Sequence, residues 1–325
     1  MFPSQNKAQA EFNWILILIA GFIILSSFVA FAIDYKNLSD RRINTELSLA
    51  LSSQLDSLTS AGLTTIVDPE GLTFFSTRLS CKSVILNIGE PISIEDKVIF
   101  SSSEIQSDKL LLWVDEFSLP YRISNIYYVS SPYTKYYVLY DDSTEQLANS
   151  ILSYIPTTQD RKRFFNFQMI AEIDPYSIEN DIQRESLREV RIVTFSDIDM
   201  PTLSVKTKII RLSKNLNLGD VYYQDTNELA KYIKKQLLLA SIFSDNYKCN
   251  ADKLLARLNY INTIYQDKAA RLFFKTQTKQ QCNYQLFISA ITSTDTSNID
   301  NLPGLEQRLS THNLELNKRG CPDVF

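Results

Sequence analysis

The longest apolar stretch of the chain lies near its start. From Trp14 to Ile33, twenty consecutive residues carry no charge. A helix of that length spans about 30 Å, the thickness of the hydrocarbon core of a bilayer. Trp14 and Tyr35 flank the run, as aromatic side chains do at membrane interfaces. We therefore predict a transmembrane helix over residues 14–33 that contacts membrane lipid, preceded by a short N-terminal segment over residues 1–13.

A cleaved secretory signal is the alternative interpretation of the same run. Ala30-Phe31-Ala32 has the small-residue spacing of a cleavage site. Signal sequences, however, have apolar cores of about 7–15 residues, and this run is longer. We expect the segment to be retained as an anchor.

The segment after the anchor has a helical pattern. Ile43, Leu47, Leu51, Leu55 and Leu58 follow one another at spacings of four, four, four and three residues. That spacing places them on one face of a helix. We predict a stalk helix over residues 34–62 whose apolar stripe packs on the following domain or on a second copy; the stripe is short for a coiled coil, which favours the domain.

The remaining chain, residues 63–325, reads as one α/β domain with three parts. Residues 63–134 are rich in short strands such as Lys97-Val98-Ile99-Phe100, separated by turn-like segments. Residues 135–225 alternate strand and helix patterns, which indicates a partly parallel sheet with at least one crossover unit. Residues 226–325 are predicted to be helical, starting with a stripe of Leu229, Ile233, Leu237 and Ala240.

The chain has four cysteines, and all of them follow the apolar run: Cys81, Cys249, Cys282 and Cys321. An even number outside the membrane segment fits two disulfides in an oxidising compartment. Four cysteines allow three pairings, and the spacing does not choose among them. Free buried thiols and a metal site are the alternatives.

Composition removes several classes of chemistry. The chain has 33 Lys and Arg residues against 37 Asp and Glu residues, a net charge of −4, so no nucleic-acid partner is expected. His312 is the single histidine, which excludes catalytic and metal sites built from several histidines. The seven glycines leave no room for a glycine-rich phosphate-binding loop. We expect a protein without a cofactor that is more plausibly an interaction module than an enzyme.

Aspartates at strand ends are the one candidate for metal chemistry. Asp141 and Asp142 follow the predicted strand that ends at Tyr140, and Asp197 and Asp199 follow another. Ligands of open parallel sheets bind beyond the carboxyl ends of the strands, and carboxylate oxygens suit Mg²⁺ or Ca²⁺. A membrane-tethered, metal-dependent enzyme or binding domain is therefore the alternative function. Ordinary helix capping by Asp and Ser is the simpler explanation of the same residues.

The membrane-start motif carries a resemblance. Lys7-Ala8-Gln9-Ala10-Glu11-Phe12 directly precedes the apolar run and resembles the start of archaeal type IV pilin-like precursors. The resemblance implies processing between Ala8 and Gln9, a helix held in the membrane and a body outside. Glu11 follows Gln9 by two residues, where the pilin pattern has about four. A polar interfacial cap on an ordinary anchor, ending at Trp14, is the other interpretation.

The chain as a whole also resembles a family of uncharacterised single-pass membrane proteins of small-genome archaea. The stretches that carry this resemblance are KAQAEFNWILILIAG, LPYRISNIYYVSSPYTKYYVLYDD, IFSDNYKC and GCPDVF. It implies a membrane-anchored architecture and no particular activity.

Orientation rests on opposing signals. Lys36, Arg41 and Arg42 after the apolar run, against Lys7 before it, favour a cytoplasmic domain and hence a cytoplasmic regulator. The cysteines and the pilin-like start favour the outside. We expect a single-pass protein of the cell membrane with an extracytoplasmic domain that acts in the cell envelope, with a protein partner or by self-association, as a pilin-like or adaptor component.

Overall fold

A computed structural model gives the fold of the chain. It describes residues 5–58, 63–67, 75–86, 91–158, 163–198, 202–276 and 281–325. In the first helix the described side chains are those of residues 14, 18–36, 38, 42 and 53–58.

A single long helix opens the structure. Helix α1 runs from Gln5 to Ser57, 53 residues or about 80 Å. Within it, Leu18–Lys36 is long and apolar enough to cross a membrane, and no side chain of that stretch is covered by protein. By length and composition it is a membrane anchor or a signal sequence. The predicted transmembrane and stalk helices are thus one continuous helix, which the absence of proline permits.

The predicted β-rich part forms two four-stranded sheets. The first has the order β1-β7-β8-β5 and the second β4-β3-β2-β6. Their strands are β1 Thr64–Val67, β2 Phe75–Leu79, β3 Ser83–Leu86, β4 Ile92–Ser93, β5 Val98–Ser101, β6 Glu104–Ser107, β7 Leu110–Ser118 and β8 Arg122–Ser130. Leu55 of α1 and Leu58, just after the helix ends, are buried in the core that the two sheets share. The C-terminal end of the stalk stripe therefore packs on its own domain, as predicted.

A six-stranded sheet forms the centre of the domain, in the order β10-β9-β11-β12-β13-β14. Its strands are β9 Thr134–Leu139, β10 Asn166–Ile170, β11 Glu189–Thr194, β12 Lys206–Leu212, β13 Leu218–Tyr223 and β14 Glu228–Ile233. The first four are parallel and the last two are antiparallel. The predicted crossover is confirmed, because β9 and β10 are parallel neighbours joined by a helix.

Two helices cover opposite faces of this sheet. Helix α2, Glu145–Tyr154, buries Ile151 in the cluster that holds Tyr136 of β9. Helix α3, Pro175–Glu185, buries Ile182 against the next residue of the same strand, Tyr137. Adjacent residues of a strand point to opposite faces, so the two helices lie on either side of the sheet.

The C-terminal part is helical, but it begins later than predicted. Its helices are α4 Lys234–Phe243, α5 Tyr247–Lys275, α6 Gln285–Thr292 and α7 Leu302–Lys318. Leu229 and Ile233, which we assigned to a helical stripe, belong instead to β14. Asn227 takes a left-handed conformation (φ 54°) at the turn before β14, and that turn makes a hairpin of a sequence whose apolar spacing also fits a helix.

All four cysteines form disulfides. Cys81, in the turn between β2 and β3, pairs with Cys249 of α5, and Cys282 pairs with Cys321. The first bridge joins the β-rich part to the helical part. Lys253 and Arg257 follow Cys249 at intervals of four and bond to the same β-rich part: the Lys253 ammonium donates to the carbonyls of Cys81, Ile94 and Lys97. One face of α5 is therefore fixed to the β sheets covalently and by polar contacts.

Candidate functional site

Two of the strand-end aspartates follow adjacent strands, but Asp141 hydrogen-bonds to residues of its own turn. Strands β9 and β11 are adjacent and parallel, so Asp141 and Asp197 follow neighbouring strands at one edge of the sheet. One oxygen of Asp141 accepts hydrogen bonds from the Ser143 amide (2.8 Å), the Ser143 hydroxyl (2.7 Å) and the Thr144 hydroxyl (2.9 Å). The bonds from Ser143 and Thr144 lower the pKa of Asp141.

The other predicted metal ligands do not join Asp141 in a cluster. Asp142 is exposed, the 91% exposed Asp197 side chain pairs with Arg211, and Asp199 lies outside the described residues. Across the described ranges, no three His, Cys, Asp or Glu side chains lie close enough together to hold a metal ion. The Mg²⁺ or Ca²⁺ site remains a prediction of the sequence.

A buried ion network surrounds Arg191. Arg191, on β11, is fully buried. Its guanidinium donates to Glu189 (2.9 Å), to the carbonyl of Ile242 (2.8 Å), to Ser102 (2.8 Å) and to Asp245 (2.5 Å). One side chain thus connects the central sheet, the loop after β5 and the end of α4.

Asp245 completes this network. Its carboxylate accepts from the amide and hydroxyl of Ser103 (2.9 and 2.8 Å), from Lys208 (2.9 Å) and from Lys206 (3.3 Å). Burial raises the pKa of Asp245, but Arg191 and the two lysines outweigh it and hold that pKa well below its ordinary value. The network is charge-paired and hydrogen-bonded, which is the condition under which charges are buried stably.

A small polar pocket of about 170 Å³ adjoins the network. It lies where all three sheets meet, and its polar lining includes Glu104, Ser131, Thr134, Arg188, Glu189 and Lys206. The pocket carries both signs of charge, and Glu189 joins it to Arg191. It has room for a small polar molecule.

A second ion cluster lies on the opposite face of the sheet, under α3. The Lys135 ammonium, with 4% of the side chain exposed, contacts Asp181 (2.7 Å) and Glu185 (2.8 Å). The Tyr137 hydroxyl donates to Asp181 (2.8 Å). Burial raises the pKa of each of the two carboxyls, yet their bonds to Lys135 outweigh it and leave both pKa values lowered. These contacts fix α3 to β9.

A wide cavity lies between the β-rich part and the central sheet, and we call it the interface cavity. Its volume is about 820 Å³. Its apolar lining comprises Leu111, Pro132, Leu152, Ile155, Phe165 and Phe167. The described lining also includes Asn149, Ser153, Thr157, Arg163, Phe164 and Asn166. Ligand sites of proteins commonly have this volume and lie at such junctions.

The sequence missed both the network and the cavity. Arg191 sits in the run VRIVTF, whose β-branched residues indicate only a strand, and its partners Ser102 and Asp245 are 89 and 54 residues away. Arg163, Phe164 and Phe165 are adjacent in the sequence, but Leu111 comes close to them only in the folded chain. No local sequence pattern predicts the network or the cavity.

The membrane-start residues all lie in α1. Gln9 and Glu11 are part of the helix, and their side chains lie outside those described; Trp14 is 69% exposed, as a residue at a membrane interface would be. No known protein family matches the chain, and no curated protein or solved structure matches it either.

Proposed function

We propose that the protein is a single-pass, membrane-anchored interaction protein of the cell envelope whose folded domain lies outside the cytoplasm. The observation that carries the proposal is the union of two features in one chain. An apolar helix with no protein covering it leads directly into a domain in which every cysteine is in a disulfide.

The disulfides support the outside orientation because such bonds persist in oxidising compartments and are rare in the cytosol. The positive charges after the anchor point the other way, because they favour a domain on the cytoplasmic side. Charge bias orients anchors only on average, whereas a cytosolic location would leave both structural disulfides exposed to reduction. We therefore give the disulfides more weight.

The stalk supports a role at a distance from the bilayer. Residues 37–57 add about 32 Å of helix between the apolar span and the domain. A domain held at that height is positioned to meet a protein partner or a second copy, as a pilin-like or adaptor component would. The pilin-like start further predicts a chain whose first residue is Gln9.

The test is membrane extraction followed by determination of the N-terminal residue. We expect the protein to stay in the membrane fraction after alkaline carbonate treatment, with its first residue at Met1 or, if processed as a pilin-like precursor, at Gln9. A protein that is released by carbonate and begins after Ala32 would show that the apolar helix is a signal, and the anchored function would be wrong.

A further inference from the structure

We propose that the interface cavity binds a single-chain amphiphile with an anionic head, such as a fatty acid or a lysophospholipid. The proposal does not depend on the orientation of the domain or on the proposed function.

The inner wall of the cavity is apolar and firmly held. Phe165, Ile155 and Leu152 are almost fully buried, at 1%, 3% and 6% exposure. Phe165 contacts Phe164 and Phe243 edge to face, with ring centroids 5.0 and 4.7 Å apart. Aromatic rings packed in this way cannot easily turn to fill the space beside them. The wall of the cavity is therefore apolar, and packing fixes the positions of its side chains.

The rim is polar, and Arg163 gives it a positive charge. Ser153, Thr157 and Arg163 are exposed there, and Asn149 is exposed one turn before Ser153 on α2. Arg163 is the charged residue among the described lining, and none of the described lining residues is acidic. A ligand whose head sits at this rim is therefore favoured if that head is an anion that also accepts hydrogen bonds.

The volume is sufficient for an acyl chain. An apolar cavity of about 150 Å³ is enough for benzene. At about 820 Å³ the interface cavity has several times that space, which an acyl chain with its head at the open rim can use. The polar pocket beside Glu189, at about 170 Å³, is both too small and too polar for such a ligand.

The structure supplies its own reporter for a test. Trp113 stands two residues after Leu111 on β7, and its ring lies 6.4 Å from that of Phe165. The chain has one other tryptophan, Trp14, so the full chain with Trp14→Phe emits from Trp113 alone. Bromine quenches tryptophan at close range, and about 30 Å of helix separates the domain from the bilayer. A brominated chain dissolved in the bilayer therefore leaves Trp113 unquenched.

The experiment titrates this protein, in lipid nanodiscs, with 12-bromododecanoate and, in a second arm, with a lysophosphatidylglycerol that bears the same brominated chain. We expect saturable quenching of Trp113 in at least one arm, and the arm that saturates identifies the source of the ligand. Quenching that never saturates in either arm, or its absence from both, overturns the proposal.

Two variants place the ligand in the cavity. Ser153→Phe fills the rim and should weaken binding at least tenfold, whereas Ser150→Phe, the same change one turn earlier on α2 and outside the lining, should not. Arg163→Gln should weaken the anionic probe by about 1.5- to 5-fold and leave the methyl ester of the same chain unaffected. Equal binding by the Ser153→Phe and Ser150→Phe variants, with equal melting temperatures, would also overturn the proposal.

Discussion

Replacing Arg191 by methionine tests whether the buried ion network holds the three sheets together. Methionine keeps most of the side-chain volume and removes four hydrogen bonds at once, to Glu189, Ile242, Ser102 and Asp245. The change leaves the carboxylates of Glu189 and Asp245 buried without the guanidinium that bonds to both. Removing one partner of a buried ion pair typically destabilises a protein by about 3–5 kcal/mol.

That magnitude corresponds to a large change in thermal stability. A domain of this size loses about 2–4 °C in melting temperature for each kcal/mol, so we expect a decrease of roughly 6–20 °C. Arg191→Lys keeps the charge but cannot reach all four partners, and it should fall between the wild type and Arg191→Met.

Arg184 provides the matched control. It also pairs with two carboxylates, those of Asp181 and Glu185, but 73% of its side chain is exposed. At such an exposed site, water solvates the carboxylates once the guanidinium is removed. Arg184→Met should therefore leave the melting temperature nearly unchanged. The assay follows Trp113 fluorescence in the full chain in detergent micelles, because Trp113 is buried with its ring 4.4 Å from that of Tyr128. Equal effects of Arg191→Met and Arg184→Met would refute the reasoning.

Three further perturbations have expected outcomes. Because the pKa of Asp245 is lowered in the folded state, the ionised carboxylate stabilises the fold above about pH 5, and this stabilisation is lost as the pH falls. The urea midpoint of the wild type should therefore drop between about pH 5 and pH 3. The drop should be less steep in Asp245→Asn. Removing the bridge between Cys81 and Cys249, which closes a loop of 168 residues, should lower the free energy of unfolding by about 2–5 kcal/mol, more than removing the other bridge, which closes 39. Lys253→Met should cost about 1–3 kcal/mol in chemical denaturation, because it leaves three carbonyl acceptors without their ammonium donor.

Each of these has a contradicting result. Parallel pH profiles for the wild type and Asp245→Asn would show that the network does not govern acid stability. A larger loss from the 39-residue bridge would show that loop length does not set the order of the two effects. Unchanged denaturation of Lys253→Met would mean that the disulfide alone fixes α5 to the β sheets.

The sequence predicted features that depend on local periodicity. The twenty uncharged residues of 14–33 indicate a long apolar helix whatever the rest of the chain does. The unit of β9, α2 and β10 follows from strand and helix patterns close together in the chain. The spacing of Leu55 and Leu58 likewise predicted an apolar stripe, and this end of the stripe packs on its own domain.

Features that depend on distant contacts were not predicted. The disulfide pairing requires α5 to cross the β-rich part, which the spacing of the cysteines does not show. Leu229 and Ile233 fit a helical stripe and a strand equally well, and the hairpin with β13 decides between the two. The network of Arg191 and the interface cavity both join segments that are far apart in sequence, so each appears only after the three sheets are assembled.

The central claim, that the domain is anchored in the membrane and folded in an oxidising space, has one direct measurement. A membrane-impermeant maleimide is applied to intact cells that express the full chain, with and without prior reduction, and modification of Cys81, Cys249, Cys282 and Cys321 is read by mass. We predict modification of all four without lysis, and only after reduction. Modification that requires lysis and needs no reductant would place the domain in the cytoplasm with free thiols and would contradict the account.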